Sequence, residues 1–127
     1  MGRWQAYRMI EEAEHGSYFF RFVISPDPQK EDTQQDLFLR EITEHTMLAL
    51  EERFNIHLPW AAVEHTDHAP HRHVHVVAVL PERLQVSDFQ AMRQAATERA
   101  LAQRKERDLI QEQARMHRKE AQWERQR

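Results

Sequence analysis

The chain of 127 residues contains no cysteine. A disulfide framework and thiolate metal sites are therefore excluded, and any metal must be held by nitrogen and oxygen ligands. No apolar run approaches the roughly 20 residues needed to span a bilayer. The opening Met1-Gly2-Arg3-Trp4-Gln5 has no apolar signal core. These absences point to the cytoplasm and away from a membrane. An overall positive charge is also missing: the formal net charge is -3. Residues 1–86 hold 8 basic and 14 acidic side chains, whereas residues 87–127 hold 10 and 7. A nucleic-acid binder is usually more basic than this, so any such contact must be local, helped by a metal or by the C-terminal segment. Tyrosine is scarce, with Tyr7 and Tyr18 only. No internal repeat of fixed period is visible.

What is present suggests a small α+β domain. The length fits one unit with a modest core. Trp4 to Glu14 reads as a short helix stopped by Gly16. Tyr18-Phe19-Phe20-Arg21-Phe22-Val23-Ile24 is aromatic and β-branched and reads as a strand, ended by Ser25-Pro26-Asp27-Pro28. A helix is expected from about Gln34 to Phe54, because Leu39, Ile42, Thr46/Met47, Leu50 and Phe54 recur every three or four residues. Leu58 to His65 is expected to be a second strand. Thr66 to Arg72 is a polar turn. His73 to Leu80 is the clearest strand, stopped by Pro81. Ser87 is a natural N-cap for a last helix that meets no Gly or Pro up to Arg127. Phe89, Met92, Ala95, Ala96 and Leu101 make its early part apolar. Beyond Gln103 it is charged nearly all round, as expected of a solvated helix. The domain reading is a metal-binding α+β core over 1–86 and a C-terminal helix over 87–127, its inner part packed on the core. The order strand–helix–strand–strand–helix is most of a ferredoxin-like sandwich: an antiparallel sheet packed with helices, without its usual fourth strand.

The chemistry concentrates in Glu64-His65-Thr66-Asp67-His68-Ala69-Pro70-His71-Arg72-His73-Val74-His75, where five of the nine histidines fall. On a strand, residues i and i+2 share a face. His73 and His75 then present two imidazoles side by side, with Val74 turned to the core, and a turn after His65 brings a third nitrogen alongside. Three neutral imidazoles make a metal site with positions left open for water or substrate. His68 or His71 are alternatives to His65 as the third ligand. Asp67, Glu64 or His68 could orient a ligand ring from behind. A histidine-rich surface turn is the bland alternative, but unpaired imidazoles on a strand face are poorly suited to burial without a ligand.

A His-hydrophobic-His strand preceded by a His-x-Asp turn resembles the metal motif of the HUH endonucleases, and more closely that of the relaxase branch found on conjugative plasmids and integrative elements. The resemblance covers about Tyr18 to Leu80, with Phe20-Arg21-Phe22-Val23-Ile24-Ser25-Pro26, Trp60-Ala61-Ala62-Val63-Glu64-His65 and His73-Val74-His75-Val76-Val77 as its blocks. It implies that His65, His73 and His75 hold one divalent cation, Mg²⁺ or Mn²⁺, with Asp67 the acidic residue after the upstream histidine. It also implies a plasmid-mobilisation nickase whose tyrosine hydroxyl attacks a phosphodiester of single-stranded DNA or of a DNA hairpin, leaving a 5′-phosphotyrosine link. An imidazole-only site equally suits Zn²⁺ or Ni²⁺. Relaxases carry their tyrosine near the N-terminus, and Tyr7 matches that place better than Tyr18, which opens a strand. Such proteins have more sequence ahead of the aromatic strand, so the resemblance also allows for a fragment lacking the nucleophile segment. Two other functions compete: a DNA-recognition module of the same fold that binds metal without cutting, and an adaptor whose C-terminal helix engages a partner helix through Met116 and Trp123.

Overall fold

The computed structural model describes residues 17–66 and 71–126, and the expected helix at Trp4–Glu14 lies outside them. Its elements are strand β1 (Tyr18–Ile24), helix α1 (Leu39–Phe54), strand β2 (Trp60–His65), strand β3 (His73–Leu80) and helix α2 (Val86–Arg125). They form an α+β unit with a three-stranded sheet in the order β1-β3-β2, both pairings antiparallel. β3 is central and is the most valine-rich strand, as a strand flanked on both edges should be. In the register, Val76 faces Phe22 on one side and Ala62 on the other.

Side-chain alternation splits the sheet into two unlike faces. Val74, Val76, Ala78 and Leu80 of β3, with Ile24 of β1, join Leu39, Ile42, Met47 and Leu50 of α1 and Met92 and Ala100 of α2 in one buried cluster. Phe20, Phe22, Trp60 and Ala62 pack against it from the outer strands. Each large apolar side chain so buried contributes on the order of 1.5–3 kcal/mol. The other face carries Phe19, Arg21 and Val23, then His73, His75, Val77 and Val79, then Ala61, Val63 and His65. Neither helix contributes to it. Phe19, Val23 and Val63 are each at least half exposed, although Val79 at its far end is buried.

The expected apolar face of α1 is the buried one. Thr43 and Thr46 lie in it with their hydroxyls satisfied, a local back-bond that offsets the cost of burying them. The Thr43 hydroxyl donates to the Leu39 carbonyl at 2.9 Å. The Thr46 hydroxyl donates to the Ile42 carbonyl at 2.8 Å. The helix ends on Asn55 in the left-handed region (φ 55°), which asparagine tolerates well. The expected start at Gln34 is corrected to Leu39. Residues 27–38 instead fold on their own carboxylates. Glu31 accepts the Asp27 N–H at 2.6 Å, and Asp32 accepts the Leu37 N–H at 3.1 Å. Gln35 takes a positive φ of 53°. A residue in that region breaks a right-handed helix. Strand β2 likewise begins at Trp60 rather than Leu58, after Pro59.

Helix α2 runs unbroken for 40 residues. At the usual helical rise this makes it about 60 Å long. Its N-cap is Gln85 rather than Ser87. The Gln85 N–H donates to the Asp88 carboxylate at 2.7 Å. This bond is half of a reciprocal capping box. Arg53 of α1 donates to the same carboxylate at 2.9 Å. The apolar reading of the first turns holds for Met92 and Ala95, which are buried. Phe89 and Leu101 are 44% and 46% exposed, and Phe89 rests on Phe20 at the rim with ring centroids 5.5 Å apart. Further along, the helix also docks through polar residues. Gln103 is buried and makes a two-way bond with the Phe38 backbone, accepting its N–H at 2.7 Å and donating to its carbonyl at 3.1 Å. Arg104 is buried against Asp36 at 2.6 Å, and Arg99 pairs with Glu41. Beyond Arg104 the helix is almost wholly exposed. Among the described residues no helix is long and apolar enough to cross a membrane.

Candidate metal centre

The β2–β3 register sets His65 directly opposite His73. His75 follows two residues further along the same face. The centre therefore arises from one antiparallel pair: the last residue of β2 meets the first residue of β3. The three rings form a closed triangle, with centroids 4.9 Å apart for His65–His73, 4.6 Å for His65–His75 and 5.0 Å for His73–His75. One nitrogen from each ring lies within 4.8 Å of the others. Bonds of about 2.1 Å to a common ion would draw these nitrogens closer together. His73 is half-buried, and His65 and His75 are exposed, so the open side of the triangle faces solvent.

The tautomer of His73 follows from its neighbour. Its Nδ1 lies 3.0 Å from the His71 carbonyl oxygen, which can only accept. In a neutral ring this bond assigns the proton to Nδ1 and leaves Nε2 the lone pair a metal needs. His71 thus serves through its backbone, while its own ring stays outside the triangle. The adjoining Arg72 is pinned. Its guanidinium, only 15% exposed, donates to the Asp32 carboxylate and to the Leu37 carbonyl, each at 3.1 Å. This clamp fixes the chain just before His73. The Arg72–Asp32 pair spans 40 residues of sequence and leaves no local periodic signal.

Of the other candidates, Glu64 is opposite Val74 in the register and borders the cleft of Arg40, Thr43 and Trp60 on the helix side. Its carboxylate is on the reverse side of the sheet from the imidazoles, which corrects its reading as a ligand or orienting group. Asp67, His68 and Tyr7 lie outside the described residues. Tyr18 is opposite Leu80 at the far end of the sheet, with Arg83 stacked 5.5 Å from its ring, well away from the histidines. His75 is flanked across the sheet by Val23 and Val63.

Chemically, the cluster could hold a divalent ion on three imidazoles while leaving coordination positions free. None of the described residues that alternation places on this face is a carboxylate, and its one fixed cation among them is Arg21. In a chain with 21 acidic residues, the face is thus set apart by charge, and among the described residues both helices pack on the other face. No protein-family model matches the chain, and the searches of curated proteins and of solved structures return no match either.

Proposed function

We propose that this chain is a relaxase-type protein that nicks single-stranded DNA and transfers the strand during plasmid or mobile-element mobilisation in the cytoplasm, using a divalent metal held by His65, His73 and His75. The observation that carries the reading is the triangle of imidazoles at the β2–β3 junction, open to solvent on a face whose described residues include no carboxylate. Among the described residues, the strand order β1-β3-β2 also agrees with three strands of a ferredoxin-like, HUH-type core.

In this reading His73 is the pre-oriented ligand, held by the His71 carbonyl and the Arg72–Asp32 clamp. His75 and His65 complete the set. A divalent ion bound there would neutralise charge developing on phosphate oxygens. Mn²⁺ suits both the family expectation and three nitrogen ligands better than Mg²⁺, which prefers oxygen, while Zn²⁺ and Ni²⁺ suit imidazole as well. Tyr7 is the proposed nucleophile. Its hydroxyl would attack phosphorus, form the phosphotyrosine ester and expel the 3′-hydroxyl of the cut strand, conserving the bond for rejoining.

The position of Tyr18, remote from the centre, favours a second reading in which the chain binds DNA and metal without cutting. One experiment separates the two. The protein is incubated with labelled single-stranded oligonucleotides and Mn²⁺, then run on a denaturing gel. The nickase reading predicts a covalent adduct that disappears in Tyr7→Phe and in His73→Ala. Binding without an adduct would leave the recognition module.

A further inference from the structure

Arg21 occupies a distinctive place. It lies in the middle of edge strand β1, opposite Val77, on the face that bears the histidines. Val23, the next residue on that face, is directly opposite His75. Arg21 is therefore one diagonal step from His75, and across neighbouring strands such a step is about 7–8 Å between Cα atoms. Its side chain is exposed, and it makes no ion pair among the described residues. Other arginines here are used structurally: Arg53, Arg72, Arg99 and Arg104 all grip carboxylates. The next outward-facing residue, Phe19, is half exposed.

We infer that Arg21 is a phosphate-binding residue that holds a single-stranded nucleic acid across the open sheet face, with Phe19 supplying a ring on which a base stacks. The inference rests on the proposed function and names contacts that the histidine motif does not. A guanidinium offers a planar fork of donors that matches phosphate oxygens. Among the described residues, the surrounding face has no carboxylate to compete for it. Apolar and aromatic surface beside an isolated cation is the pattern of a strand-binding platform, where stacking and backbone neutralisation act together. A solubilising charge on an edge strand is the competing role for such a residue, and it would have no effect on how DNA binding responds to salt.

The test measures binding of a fluorescein-labelled oligodeoxythymidylate to the full chain with Mn²⁺, over a series of salt concentrations. The variants are Arg21→Gln, Arg21→Lys, Phe19→Ala and Arg83→Gln, the last as a control on the far end of the sheet. Arg21→Gln should weaken binding roughly tenfold and reduce the log–log salt slope by about 0.7, the value for one lost phosphate contact on a single strand. Arg21→Lys should keep most of the slope. Phe19→Ala should lose affinity with the slope unchanged, and Arg83→Gln should behave as the parent. Parent-like affinity and slope in Arg21→Gln, with the parent still binding, would overturn this inference alone. A parent chain that binds no oligonucleotide would overturn both the inference and the proposed function.

Discussion

The two faces of the sheet are built from the same three strands, yet they follow different rules. Toward the helices, β3 presents Val74, Val76, Ala78 and Leu80, all at most 1% exposed. Toward solvent the same strand begins with His73 and His75, beside the half-exposed Val23 and Val63 and one step from Arg21. The first face is explained by burial and close packing. The second would be a poor way to stabilise a small domain. Imidazoles and exposed apolar side chains contribute little there unless something binds. Core packing and the candidate metal centre are thus separated by side-chain parity along one strand, so mutations on the two faces should have separable consequences.

The largest expected effect is on the packed face. Ile42 is completely buried. Ile42→Ala should cost about 2–5 kcal/mol in chemical denaturation. The molecules that remain folded should bind metal as the parent does. On the open face the pattern reverses. His73→Ala should lower metal affinity by more than the roughly 10–100-fold typical of losing a mere orienting partner. In metal-free solution it should change the unfolding midpoint very little. A His73 variant that unfolds like a core variant would erase the distinction between the faces.

A similar contrast runs along α2, between its partly buried first half and its mostly exposed second half. The Arg104 guanidinium donates a hydrogen bond to Asp36 and holds that carboxyl below its ordinary value of 3.8. A lowered folded-state value contributes stability that is present above the unfolded value and lost as pH falls through the folded one. Asp36→Asn should therefore cost about 1–3 kcal/mol near neutrality. It should also flatten the decline of stability below pH 3.8. Thermal melts of parent and variant across an acid pH series would measure both. At the other end, Trp123 is 65% exposed. Trp123→Ala should stay within about 0.5 kcal/mol of the parent in the same melts.

Much of this was legible in the sequence where local pattern decides structure. The strands Tyr18–Ile24 and His73–Leu80 follow from their aromatic and β-branched composition, and the buried face of α1 from helical spacing. The outward pairing of His73 and His75 follows from alternation once Val74 is taken as core. The features that were not legible depend on partners distant in sequence. Helix α1 starts at Leu39 because Asp32, Arg72 and the left-handed Gln35 organise the preceding loop. Arg104 falls in the stretch beyond Gln103 that reads as solvated, yet it is buried because Asp36, 68 residues away, satisfies it, and Gln103 is buried on the Phe38 backbone, 65 residues away. The Gln85 cap escaped notice because Ser87 is the commoner capping residue, and only the Asp88 carboxylate bound back to the Gln85 N–H decides between them. At the site, alternation alone would have set Glu64 on the reverse face from His65.

The central claim is that His65, His73 and His75 act together as one metal site. The most direct measurement is a calorimetric titration of Mn²⁺ and of Zn²⁺ into the untagged chain and into the triple variant His65→Ala/His73→Ala/His75→Ala. The parent should bind one ion tightly per chain, and a triple variant that still folds should bind none. Equal binding by the two proteins, or no binding by the parent, would contradict that claim.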